Sequence, residues 1–198
     1  MGSEFFKAAM KKHWTEGQRR IIELPKDEPD MIYAYVQWLY AGKIFLNSQK
    51  RSGKGDFKML AKLYVFGEKI MNDSFQDCVL DETVHLSTEL SESKGILRFP
   101  GEYSITIIYE GTPKCSPLRS WVTDCYVTHG EEGWVDKDEE SGLWDVPAEF
   151  KDDVLEAVFA KRPASAKAEE EFERRQGKTS CAYHKHDKDE PCSQSRRR

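Results

Sequence analysis

No apolar run in this 198-residue sequence approaches the roughly 20 residues that a membrane-spanning helix needs. The first residues also lack the charged-then-apolar layout of a secretion signal. Met1-Gly2 begins like a myristoylation site, but Phe6 stands where that motif wants Ser or Thr. No segment repeats internally at a fixed period. Cysteine is sparse and unpaired: residues 78, 115, 125, 181 and 192 are odd in number and irregularly spaced. Such spacing argues against a disulfide framework and for reduced thiols in the cytoplasm or nucleus. A surplus of positive charge is missing too. Thirty Lys and Arg against thirty-five Asp and Glu leave a net charge of -5, which argues against general affinity for nucleic acid or anionic membranes.

What is present suits a globular core with a polar tail. The hydrophobic fraction is 38% and the charged fraction 33%, with a mean hydropathy of -0.71. That is enough apolar surface to offset chain entropy over part of the length and too little over all of it. Three zones follow. In the first, Ser3 reads as the N-cap of a helix through Met10, and Arg20-Ile21-Ile22-Glu23-Leu24 reads as a short strand stopped by Pro25. A strong helix follows, with Pro29 in its first turn, Ile32, Tyr35, Val36 and Leu39 as its apolar stripe, and Gly42 as its stop. Asn47 to Asp56 reads as a polar loop. Helical spacing then returns from Phe57 to Met71, and again from Asn72-Asp73 through Phe75, Cys78, Val79, Val84 and Leu86.

The second zone begins after a Ser/Glu-rich spacer from Ser87 to Lys94. Ile105 to Tyr109 has the composition of a strand, although so short a run is also compatible with a helical turn. Ser116-Pro117 signals a helix carrying Leu118, Trp121, Val122, Cys125 and Tyr126 on one face and closed by Gly130. An acidic loop from Glu131 to Glu140 leads to a last helix after Val146-Pro147, with Phe150, Val154, Ala157 and Val158 apolar. In the third zone, from about Arg162, the stretch Ala164 to Gln176 has helical propensity and almost only Phe172 as a large apolar residue. From Gly177 to Arg198 the chain reads as a disordered tail.

Several groupings resemble chemical sites, and each has a plainer structural reading. Cys181, His184, His186 and Cys192 are zinc-ligand types in sufficient number, but the histidines are closer than His-x3-5-His and Cys-x2-Cys is absent. Cys125 and His129 stand four apart on a helix, as ligands can, but Cys125 falls on a core stripe. Gly53-Lys54-Gly55-Asp56 lacks P-loop spacing. The terminal arginines are too few for a nuclear import patch. Tyr33, Tyr35, Trp38 and Tyr40 could stack bases, but no basic patch surrounds them, so they read as core and interface. Asp152-Asp153 falls on an exposed helix face and is not read as a catalytic pair. No nucleophile, base and oxyanion donors assemble. Catalytic, cofactor-binding and metal residues are therefore all expected to be none.

The first zone resembles the second half of a BTB/POZ domain of the kind abundant in filamentous fungi. The resemblance rests on Ser3-Glu4-Phe5-Phe6 with Trp14 downstream, Ile21-Ile22-Glu23-Leu24, Asp27-Glu28-Pro29 and the block from Tyr35 to Ile44. Leu63 to Lys69 and Asp77-Cys78-Val79 complete it in the same order and spacing. Ile108 to Thr112 and Ser116 to Arg119 are similar to the region following such domains. A full BTB domain opens with strands and a first helix before the Ser-x-Phe-Phe element, so the resemblance implies a sequence that begins partway through the domain and dimerises weakly or not at all.

The expectation is thus an α+β, helix-dominated fold: a partial BTB/POZ domain over 1–86, a linker over 87–94, a small α/β extension over 95–161 and a charged, largely disordered tail over 162–198. The function it implies is protein–protein interaction, through self-association or as an adaptor recruiting substrates to a cullin-type ubiquitin ligase. No nucleic acid, membrane, small-molecule substrate or cofactor is expected. The alternative is a zinc-dependent regulatory protein using Cys181, His184, His186 and Cys192.

Overall fold

The helices of this protein are arranged by one of their number that is apolar on two sides. The structure, a computed structural model, describes residues 3–25, 27–46, 54–94, 98–130 and 145–161. Among them are eight helices: α1 Glu4–Ala9, α2 Thr15–Arg19, α3 Pro29–Ala41, α4 Lys54–Lys69, α5 Asp73–Lys94, α6 Glu102–Gly111, α7 Pro117–His129 and α8 Ala148–Lys161. No strand occurs among the described residues. The chain divides into two units, 1–159 and 160–198. Of the second, the described residues are Ala160 and Lys161, which end α8.

The helix apolar on two sides is α4. At the helical repeat, Phe57, Leu60, Ala61 and Tyr64 lie on one side and Leu63, Phe66 and Ile70 on another. All are buried, and a helix buried on both sides needs neighbours on both. It packs against α3, α5 and α6, and α6 packs in turn against α7. The close approach of α6 is licensed by Gly111, where an added Cβ would lie 2.4 and 2.5 Å from the two methyl carbons of Val65 on α4.

Around the C-terminal half of α4 the core is aromatic. Tyr35 stands 5.0 Å from Phe75, 5.7 Å from Phe66, 5.7 Å from Trp38 and 5.8 Å from Phe6 between ring centroids. Most of these contacts are edge-on or tilted, the arrangements that the ring quadrupole favours. The Tyr35 hydroxyl cannot be left dry in such a cluster, and the Asn72 side-chain amide donates to it at 3.0 Å. Asn72 also accepts from the Phe75 backbone N–H at 3.1 Å, so the residue that satisfies the core tyrosine is the N-cap of α5. At the other end, Ser3 caps α1 by accepting from the Phe6 N–H and donates its hydroxyl to the Ile70 carbonyl. The Glu4 and Phe5 amides donate to Met71 and Ile70 at 3.3 and 3.4 Å. The start of α1 thereby satisfies carbonyls that the end of α4 leaves open.

Several expected features stand where the sequence placed them. These are the Ser3 cap, Pro29 in the first turn of α3, Gly42 closing α3 at φ 66, Pro117 opening α7 behind Ser116, and the helix after Pro147. Others are corrected. Ile105 to Tyr109 is not a strand but the middle of α6, and Ile105 and Ile108 are buried three residues apart. Among the described residues of 95–161 the expected α/β character is therefore absent, and the regular structure is helical. Arg20 to Leu24 has no regular structure, since a strand needs a hydrogen-bonded neighbour and no described segment offers one. Lys54 to Asp56 belongs to α4 rather than to a loop. The segment Ser87 to Lys94, read as a spacer, continues α5, and Ser87 is itself buried, donating to the Arg98 carbonyl at 2.7 Å. The short helix α2 was not anticipated.

The largest correction concerns α3. Its buried face is Met31, Ala34, Tyr35 and Trp38, whereas Val36 and Leu39 of the expected stripe are 40% and 50% exposed. Replacing Phe75, which is fully buried, by Ala should lower the unfolding free energy by about 3–5 kcal/mol, while Leu39→Ala should cost less than about 1 kcal/mol. Urea melts of both variants check this, and a Leu39→Ala loss as large as that of Phe75→Ala would show that α3 is turned the other way.

Candidate interaction surface

Helix α3 is apolar on its outer face as well as its inner one. Around the helix, Ile32, Tyr33, Val36, Leu39 and Tyr40 share a side roughly opposite Ala34 and Trp38. Ile32 is half-buried, but Tyr33 and Tyr40 are 60% and 89% exposed. From Met31 to Gly42 no residue carries a charge, in a chain of which one residue in three is charged. Exposed apolar residues scattered singly are ordinary, whereas these share one side of a single helix. The helix is held in place from behind. Trp38 packs edge-on against Phe75 of α5 at 5.1 Å, and ion pairs Glu28–Lys62 and Asp27–Lys69, each at 2.5 Å, join the residues before α3 to α4.

The base-stacking reading of Tyr33, Tyr35, Trp38 and Tyr40 does not hold as a cluster, because Tyr35 and Trp38 face the core and the other two face outward. Cys125 and His129 are not a pair either. Cys125 is buried among apolar side chains, which pushes its thiol up to about 12, while His129 is exposed and stacks on Phe99 at 5.4 Å. Cys78 is half-buried against the core, and burial raises its thiol as well. Gly53 lies outside the described residues, and Lys54, Gly55 and Asp56 form the first turn of α4. Asp56 is buried there, a carboxylate at the positive end of a helix. Cys181, His184, His186 and Cys192 lie outside the described residues. Among the described residues no group of three His, Cys, Asp or Glu side chains could hold a metal ion.

Asp153 is not the solvent-facing residue that the sequence suggested, and it leads to a network that sequence reasoning missed. The Tyr109 hydroxyl donates to Asp153 Oδ2 at 2.9 Å and lies 3.2 Å from the Thr123 hydroxyl. Burial, reinforced by the Asp153 acceptor, pushes the phenol up to about 12. Over the same ring, 4.3 Å from its centre, sits the guanidinium of Arg119, itself buried. Arg119 Nε donates to Thr112 Oγ1 at 3.0 Å, Nη2 donates to the Tyr109 carbonyl at 2.5 Å and to the Thr112 carbonyl, and Nη1 pairs with Glu149 Oε2 at 2.9 Å. The last contact is an ion pair whose angle falls short of a hydrogen bond. A cation thus closes the C-terminus of α6, where the helix dipole is negative, and its remaining charge meets the first turn of α8. Phe150 fills the space beside it, edge-on to Tyr109 at 5.4 Å and to Tyr126 at 5.2 Å. This cluster ties the end of α6 to α7 and α8. Its one sequence signal is an arginine on the apolar side of a helix, beside Leu118 and Val122.

Comparison of the chain with protein-family models, with curated proteins and with solved structures found no match.

Arg119→Lys, which keeps the charge and loses the fork, should destabilise the fold by about 2–3 kcal/mol, because a point charge cannot reach Thr112, Tyr109 and Glu149 together. Thermal melts decide it, and a melting point equal to that of the wild type would show that the carbonyls of α6 have other partners. The raised Tyr109 and Cys125 groups also set an alkaline limit. Both are held protonated by the fold, so the stability they contribute is complete below their unfolded values near 9–10 and is lost as the pH rises towards 12. Unfolding free energy should therefore fall above about pH 9–10. In Tyr109→Phe that fall should be shallower when followed by denaturant titration. At neutral pH, peptide mapping after brief alkylation should find Cys115, which is exposed, modified and Cys125 protected until the chain is unfolded.

Proposed function

We propose that this chain is a protein–protein interaction module of the BTB/POZ type, without a catalytic site of its own, and that the outer face of α3 is where it is covered by a partner. The observation that carries the reading is that face: Tyr33, Val36, Leu39 and Tyr40 open to solvent beside the half-buried Ile32, on a helix uncharged from Met31 to Gly42. Apolar surface of this kind lowers its free energy by association, and aromatic residues such as Tyr33 and Tyr40 are the types that carry binding energy. The BTB/POZ resemblance supports the same class of function. The helices it implies, from Pro29 through Leu86, are present in order as α3, α4 and α5. The resemblance adds the finer readings, a partial BTB/POZ fold and an adaptor role for a cullin-type ubiquitin ligase or a self-associating scaffold, in the cytoplasm or nucleus. No described helix is long and apolar enough to cross a membrane.

The test uses Val36→Glu with Leu39→Glu, two exposed positions whose replacement should leave the melting temperature unchanged. Proximity labelling in cells, followed by sedimentation velocity with each purified partner and with a purified cullin scaffold, should give complexes with the wild type that the double variant loses. Identical partner sets and equal sedimentation for the two would remove the α3 face from the function. Absence of any cullin complex with the wild type would remove the ligase role alone.

A further inference from the structure

The segment from Lys7 to Arg20 has an electrostatic character opposite to the rest of the chain. It holds Lys7, Lys11, Lys12, Arg19 and Arg20 against Glu16, a net of +4, so the remainder of the -5 chain carries -9. Lys7 is engaged by Glu4 at 2.6 Å. Lys11, Lys12, Arg19 and Arg20 are all exposed and form no ion pair among the described residues. Between them Trp14 is 55% exposed, its ring 5.6 Å from that of His13.

These charges are held together by the backbone. The Lys11 N–H donates to Ala8, the Trp14 N–H to Lys11 and the Gln18 N–H to Trp14, so α1 turns directly into α2. The turn is tight enough that a Cβ on Gly17 would lie 2.2 Å from the Lys11 carbonyl oxygen. That contact brings α2, with Arg19 at its end, against the backbone of Lys11. Arg20 ends α2 at φ 54, in the left-handed region that glycine occupies most easily, yet an arginine side chain stands there. The platform beneath is fixed, since Ser3, Glu4 and Phe5 bond to the end of α4.

We infer that Lys11, Lys12, Trp14, Arg19 and Arg20 form a docking site for an acidic peptide segment of a partner protein. The cations match its carboxylates and steer its approach, and the Trp14 ring packs against an apolar residue between them. A peptide fits better than a nucleic acid or an anionic membrane. Four exposed cations suit a few carboxylates, whereas a long polyanion would extend beyond them onto a molecule that is otherwise negative. The inference builds on the reading of this chain as an interaction module but uses elements other than α3, so the two readings fail separately.

The full chain is titrated into a fluorescein-labelled glutamate-rich peptide with leucine at every fourth position, read by anisotropy. Saturable binding is expected, weakening with added salt, reduced about tenfold or more in Lys11→Glu with Lys12→Glu and likewise in Arg19→Glu. Trp14→Ser should weaken it severalfold with an unchanged melting curve. Val36→Glu with Leu39→Glu should bind the peptide as the wild type does, even if it loses every α3 partner. Binding that is absent, or unchanged by either charge reversal, overturns the proposal. So does tighter binding of oligothymidylate, or of phosphatidylserine-containing vesicles, through the same residues.

Discussion

A single buried cation fixes the second half of the described structure. Arg119 enters the core from α7 and spends its donors on the last carbonyls of α6 and the hydroxyl of Thr112, leaving its charge to be met by Glu149 at the start of α8. Removing a guanidinium from water is costly, and only a nearly complete set of acceptors offsets that cost. The end of α6, the first turns of α7 and the first turn of α8 must therefore all be in place together. Each element is short, and none of them would be a stable helix alone. Tyr109 couples the same elements a second time, with its carbonyl on Arg119 and its hydroxyl on Asp153. Because α6 also packs on α4 through Gly111, the arrangement reaches the aromatic core around Tyr35 without a break in the packing.

Punctuation was the legible part of the sequence. Ser3 and Asn72 act through capping side chains and Pro29, Gly42, Pro117 and Pro147 through their backbone chemistry, and each marks a helix boundary. Faces were harder. Helix α3 is apolar all round, so two stripes satisfy the same periodicity, and nothing local says which of them meets α4. The run Ile105 to Tyr109 is equally apolar at strand and helix spacing, and the packing of α6 on α4 that accompanies its helix joins residues far apart in sequence. Ser87 to Lys94 looked like a spacer because its composition is polar, yet a helix exposed on one side can be polar there and still bury Leu86 and Ser87. Arg119 offers the sequence only an arginine on an apolar helix side, and its role as a helix cap depends on a partner helix that no spacing rule reveals.

The surfaces left over from this packing differ in kind. The outer face of α3 is apolar and uncharged, suited to association driven by burial of area and little affected by salt. The face around Trp14 is cationic against a negative molecule, suited to fast, salt-sensitive encounter. Tyr109 and Cys125, whose groups burial pushes up to about 12, belong to neither surface and lie inside the fold.

The crossing of α4 and α6 has an evolutionary consequence. With the side chain of Val65 occupying the volume that a Cβ at position 111 would need, the two sites share one allotment of space. Any descendant that keeps this crossing can enlarge residue 111 only while shrinking residue 65, since interiors packed to crystal density leave no slack to absorb a methyl group on both. Positions 65 and 111 should therefore drift as a pair.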